Sequence, residues 1–171
     1  MSKLSYIKAD LFSAPDHTIL VHACNTVGSW GGGIALAFRE KYPAQYRMYN
    51  ALCREYGDEL IGTCFLIPGE RHHIACLFTS RAYGRRKDKP TEILAATRLA
   101  LQDLQRQNKD GRKLHAWYVW AWLFFLLNSW SLLITILSRF NSGKFAVPWQ
   151  DTEAIIKQLE MEMVVYDPVT T

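Results

Sequence analysis

The stretch VHACNTVGSWGGGIALAF, Val21 to Phe38, decides how the chain is read. A short apolar run from Thr18 to Val21 delivers His22, Ala23, Cys24 and Asn25 to its end, a glycine-rich turn comes next, and a helical pattern opens at Gly33. In open α/β sheets ligands bind beyond the carboxyl ends of the strands, where the first turn of a helix offers unpaired N–H groups to an anion. Gly31, Gly32 and Gly33 lack the Cβ atoms that would hold a ligand off the backbone. The arrangement invites a diphosphate. It matches neither the G-x-G-x-x-G of a dinucleotide fold nor the G-K-[ST] of a P-loop.

Around this stretch, Leu4 to Ile7, Thr18 to Ala23, Leu60 to Ile67, Ile74 to Thr79 and Met163 to Tyr166 are rich in β-formers and bounded by turn residues, which predicts strands. Gly33 to Lys41, Ala44 to Tyr56, Thr91 to Gln107 (with Thr91 as N-cap) and Trp149 to Met161 carry helical patterns. Strands alternating with helices predict an α/β domain with a largely parallel, covered sheet. A second loop, FNSGKFAVPWQDTE from Phe140 to Glu153, again joins a strand to a helix and again sets small residues beside an aromatic. Two such loops on adjacent strands would clamp one diphosphate from opposite sides.

The motifs HACNTVGSWGGGIA, KADLF ahead of it and NSGKFAVPWQDTE near the end resemble the macrodomain family, and within it the fungal ADP-ribose 1″-phosphate phosphatase branch. The resemblance covers residues 1–115 and 139–171. It implies a three-layer α/β/α domain with a mostly parallel, mixed sheet of about six strands, and ADP-ribose across the strand ends. It implies that Asp10 accepts a hydrogen bond from the adenine amino group, with Ala9 and Leu11 lining that end. The family usually has glycine where Ala9 stands. Ala23, Cys24 and Asn25 would meet the distal ribose. Trp30, Gly31, Gly32, Gly33, Ile34 and Ala35 would cradle the diphosphate, and Phe140, Asn141, Ser142, Gly143, Lys144, Phe145 and Ala146 would close over it. The implied activity is hydrolysis of ADP-ribose 1″-phosphate. Alternatives are a non-catalytic ADP-ribose-binding module and a mono-ADP-ribosyl hydrolase, because one fold hosts several activities.

For the chemistry, His22 is the candidate acid/base, since imidazole titrates near neutral pH, although a strand histidine also reads as a satisfied structural residue. Asn25 would orient the substrate while backbone N–H groups stabilise the transferring phosphoryl oxygens. Cys24 is a conceivable nucleophile. Trp30 either walls the pocket or packs beneath the loop.

The rest of the chain bounds these readings. Its 171 residues are 49% hydrophobic and 21% charged, which suits one globular domain. The net charge of +4 includes a cluster, Arg81, Arg85, Arg86, Lys87 and Lys89, with only Tyr83 as an interleaved aromatic. It reads as a mobile loop at the pocket rim rather than a nucleic-acid surface. Cys24, Cys53, Cys64 and Cys76 lack C-x-x-C spacing and read as reduced core residues, with no metal site or cofactor expected. The N-terminus has no apolar signal region, which predicts a monomer of the cytoplasm or nucleus acting on a small molecule.

One segment breaks the pattern. Ala116 to Ser138 holds 23 uncharged residues and four of the six tryptophans, and its length meets the roughly 20 residues that span a bilayer. A membrane anchor would put the two phosphate loops on opposite sides of a membrane, so a membrane location is not expected. A buried core helix conflicts with a short connection to the second loop. The third reading is an apolar insertion foreign to the domain, such as a retained intron translated in frame.

Overall fold

The computed structural model describes residues 3–117, 141 and 145–167. Six strands, β1 (Lys3–Lys8), β2 (Thr18–Asn25), β3 (Cys64–Ile67), β4 (His72–Ser80), β5 (Leu114–Trp117) and β6 (Glu162–Asp167), form one sheet in the order β1-β6-β5-β2-β4-β3. Only β3 runs antiparallel, to β4; the other pairings are parallel. Four helices cover it: α1 (Ile34–Lys41), α2 (Pro43–Tyr56), α3 (Pro90–Gln107) and α4 (Trp149–Gln158).

Period-2 alternation along the central strands sorts side chains into two cores. Ile19, Val21, Ala75, Leu77 and Val165 pack with Ala100, Leu101 and Leu104 of α3 and Ile155 and Ile156 of α4. On the opposite face Leu20, Cys24, Ile74, Cys76 and Phe78 pack with Phe38 of α1, Tyr49 and Cys53 of α2, and Leu11 and Phe12 of a single 3-10 turn after β1. Strand β2 is thus covered on both sides, which explains its near-continuous apolar run. Buried His72 shows how such a core keeps a polar ring: its Nε2 lies 2.9 Å from the Ala14 carbonyl and its Nδ1 2.6 Å from the Tyr42 hydroxyl.

Several expected boundaries move. The strand expected over 60–67 is only Cys64–Ile67, because Gly57–Leu60 forms a 3-10 turn and Gly62 adopts φ +77°. Helix α3 starts at Pro90 rather than after a Thr91 cap. Proline suits a first helical position, and Glu92 accepts from the Lys89 N–H at 2.9 Å. Helix α4 ends at Gln158; Glu160 turns to φ +52° and the Met161 N–H bonds the Ile156 carbonyl at 3.2 Å, a helix-terminating pattern. Ala116 and Trp117, assigned to the apolar insertion, belong to β5, where Ala116 is fully buried opposite Val21 and Val165. The remainder of that segment lies outside the described residues.

Candidate functional site

Strands β2 and β5 lie side by side and parallel at the centre of the sheet, and β2 leads into the first of the two expected loops. After β2 the pairing register with β4 slips between Cys24 and Asn25. Such a bulge re-aims the next side chain. Asn25 therefore faces its own loop: Nδ2 donates to the Ser29 carbonyl at 2.7 Å and Oδ1 accepts from the Ser29 N–H at 3.1 Å. The Tyr49 hydroxyl donates to the Asn25 carbonyl at 2.6 Å, and Asn50 Nδ2 donates to the Gly28 carbonyl at 2.9 Å, so α2 holds the loop from below. Gly28, at φ +76°, fits here because a Cβ would stand 2.8 Å from Asn50 Nδ2.

Trp30 packs beneath this loop. It is 1% exposed, stacked on Tyr49 at 5.0 Å between ring centroids, with His22 edge-on at 4.8 Å. Gly31 and Gly33, in contrast, are exposed. Gly33 (φ +59°, ψ −144°) turns the chain into α1, whose first turn has neither a side-chain cap nor an acidic residue. No side chain caps the backbone N–H groups that open α1, and the first turn of a helix leaves such groups without intrahelical partners.

The second loop is anchored by Asn141. Its Oδ1 accepts from Thr79 of β4 at 2.7 Å, its Nδ2 donates to Thr97 of α3 at 2.6 Å, and its carbonyl accepts from Val147 N–H at 3.0 Å. Phe145 and Val147 bury against Ile93 and the flank of Ala23, so the loop lies beside the end of β2. Ala146 is exposed at φ +55°. Phe140, Ser142, Gly143 and Lys144 lie outside the described residues.

At the ends of β1 and β6 a cleft of about 460 Å³ is lined by Tyr6, Ile7, Lys8, Trp149, Gln150, Glu153 and Asp167. Trp149 Nε1 donates to the Tyr6 hydroxyl (3.2 Å), which donates to Glu153 (2.9 Å). Burial works against the Glu153 charge, but hydrogen bonds from Lys157 and Tyr6 outweigh it and lower its pKa below the usual carboxylate range. Asp10, exposed just beyond β1, accepts from the Phe12 N–H at 3.1 Å, while Leu11 is wholly buried and Ala9 is half-buried.

Two expected roles change. His22 is 2% exposed and stacked on Phe38 at 4.2 Å, inside the core behind the loop, which speaks against direct proton exchange with a bound ligand. Asn25 spends its side-chain amide on Ser29. Cys24 is equally buried. Burial opposes its ionisation, but hydrogen bonding from Cys76, the charge of His22 and the Trp30 N–H prevail and bring the thiol down to about 6. Burial and the Cys24 charge push Cys76 well up. A group that sequence reading passed over is Asp88: it closes the basic loop by accepting from Arg81 Nη1 at 2.9 Å and from Arg81 N–H at 3.1 Å. Its own N–H bonds Ser80, the partner of Asn25 across the sheet, at 3.1 Å. Nothing in residue spacing foretold this, since the pairing follows from where β4 ends.

A parallel-rich sheet between two helical layers, with a glycine-rich turn opening a helix after its central strand, defines the class of three-layer α/β/α domains. The family model described as Macro domain matches residues 21–156, and the chain belongs to that family. It is 40% identical to an ADP-ribose 1″-phosphate phosphatase of Chaetomium globosum over 168 residues (89% of this chain, 81% of the relative). It is 33% identical to a protein of the same name from Meyerozyma guilliermondii (97% and 99%). Among solved structures it is similar in fold to the macrodomain of Mycobacterium tuberculosis DarG, with TM-score 0.68, 24% identity and coverage of 99% and 100%. It is also similar in fold to Thermosipho africanus DarTG in complex with ADP-ribose (TM-score 0.65, 18% identity), covering 99% of this chain and 42% of that one. Among the described residues no helix is long and apolar enough to cross a membrane.

Proposed function

We propose that the chain is a phosphatase that hydrolyses ADP-ribose 1″-phosphate to ADP-ribose and phosphate. The observation that carries this reading is the uncapped start of α1 behind exposed Gly33, on the loop that follows β2, with Phe145 and Val147 packed at Ala23 of the same strand, in a chain whose relatives at 40% and 33% identity bear that enzyme's name. The ligand's adenine lies toward Asp10 with Ala9 and Leu11 at its side, its diphosphate on Gly31 to Ala35, and its distal ribose by Ala23, Cys24 and Asn25. Phe145 and Ala146 stand on the second wall. Water attacks phosphorus in line, the P–O1″ bond breaks, and backbone N–H groups take up charge on the equatorial oxygens. Asn25 and His22 act as positioning residues, the first by closing the loop onto Ser29 and the second by supporting Trp30. Asp88, whose N–H bonds Ser80 at the end of β4, takes the proton of the attacking water in this scheme, and bulk water protonates the departing O1″ oxygen. The enzyme acts as a monomer in the cytoplasm or nucleus on a small molecule, without nucleic acid. Its four buried, unbridged cysteines support a reducing compartment.

The test is phosphate release from ADP-ribose 1″-phosphate by wild type, Asp88→Asn and His22→Ala, with ADP-ribose binding followed by calorimetry. Asp88→Asn should bind normally and lose at least about 100-fold in kcat. His22→Ala should weaken binding and leave the pH profile of the rate unchanged. Wild type that binds ADP-ribose yet releases no phosphate sinks the phosphatase reading in favour of a binding module. Release of ADP-ribose from a modified protein instead would favour the hydrolase alternative.

A further inference from the structure

Behind the glycine loop, three buried side chains converge to which the proposed reaction gives no proton-transfer or bond-making step. Strand β2 presents His22 and Cys24 on one face, and β4 presents Cys76 on the same face, opposite His22 in the register. All three are buried, at 2%, 1% and 0% exposure. One ligand atom from each lies within 4.8 Å of the others, and both ring nitrogens of His22 stand 3.6 Å from Cys24 Sγ.

The geometry points to a soft divalent metal site, for Zn(II), formed by His22, Cys24 and Cys76. Bonds of about 2.3 Å to sulfur and about 2.0 Å to nitrogen, meeting at a tetrahedral angle, separate nitrogen from sulfur by about 3.5 Å. Cys24 Sγ stands 3.6 Å from both ring nitrogens, so the imidazole or the thiol turns on binding until one nitrogen points at the ion. Charge favours a divalent ion: two thiolates and a neutral imidazole make a neutral complex, which an apolar core accepts where it rejects an uncompensated charge. Binding releases the two thiol protons. The surroundings fit a metal–thiolate centre. The buried Trp30 Nε1–H faces the Cys24 sulfur. Donors of that kind orient and stabilise sulfur ligands. Phe38 stacks on the His22 ring and fixes its plane. Trp30 also lies under Gly31 to Gly33, so an ion here would brace the floor of the phosphate loop. The site has no signature in sequence spacing, because the third ligand arrives 52 positions after the second by strand pairing.

The full chain, stripped with a strong chelator, is titrated with Co(II) under reducing conditions. One equivalent should bind with a near-ultraviolet thiolate-to-cobalt charge-transfer band. Cys24→Ala and Cys76→Ala should abolish that band, and Cys64→Ala, on the other face of the sheet, should keep it. If either ligand variant fails to fold, X-ray absorption on the Zn(II)-loaded wild type decides: two sulfur neighbours and one imidazole support the site. No charge-transfer band, a band unchanged in Cys76→Ala, or a zinc shell without sulfur overturns it.

Discussion

Gly33 shows how one backbone conformation controls the site. At φ +59° and ψ −144° it occupies a region that residues with a Cβ reach only under strain, costing on the order of 1–3 kcal/mol. It also sets the direction from which α1 presents its first N–H groups. Gly33→Ala should lower stability by about that amount, read from denaturant unfolding, and weaken ADP-ribose binding at least about tenfold by calorimetry. Unchanged affinity would mean that the ligand does not rest on this turn. At the same scale Asn25 and Trp30 divide what a sequence can tell. The run of glycines announces a close backbone approach by composition alone. The destination of Asn25 depends on a bulge, and that of Trp30 on a slot between α1 and α2, neither of which leaves a local mark.

Strand β5 is where the elements constrain the apolar segment. Leu114, His115 and Ala116 lie opposite Ile19, Leu20 and Val21. Continuing that register, three further extended residues after Trp117 reach the level of Asn25. Asn141 sits at that level, since it bonds Thr79, next to the Ser80 that pairs with Asn25. Arg139, Phe140 and Asn141 alone would fill the three places. We propose that residues 118–138 are foreign to the domain, a retained intron being the simplest source. A chain with these 21 residues deleted should be more soluble on expression and should bind ADP-ribose at least as tightly as the full chain. A deleted chain that fails to fold, or a mature transcript encoding the whole segment, would refute this. The strand itself was only half legible, because Ala116 and Trp117 share the apolar, uncharged composition of residues 118–138, and only pairing with β2 and β6 assigns them to the sheet.

Across the whole molecule the two cores make stability depend on pH through His115. This ring is 3% exposed, with Nδ1 3.1 Å from the Tyr166 hydroxyl and Nε2 unpartnered among the described residues. Burial, then the charges of His72 and Lys113, hold its pKa down at about 4, from an ordinary 6.5. The unfolded chain therefore takes up a proton between those values that the folded chain refuses. The contribution is complete above pH 6.5 and is lost as pH falls toward 4, by about 2 kcal/mol at pH 4.5. His115→Phe should lose less stability than wild type between pH 7 and pH 4.5 in denaturant titrations; equal losses would place the effect elsewhere. The alternating apolar periods, the turn glycines and the two loop motifs determined the layers and the family, and they point to the strand ends proposed for the site, since those signals are local and act within a few residues. Tertiary structure decided that His22 faces inward, that Cys76 meets Cys24, that Asp88 closes onto Ser80 and that Asn141 ties β4 to α3. Each of those contacts joins residues far apart in the chain, and their meeting depends on strand register, which the one-dimensional pattern does not contain.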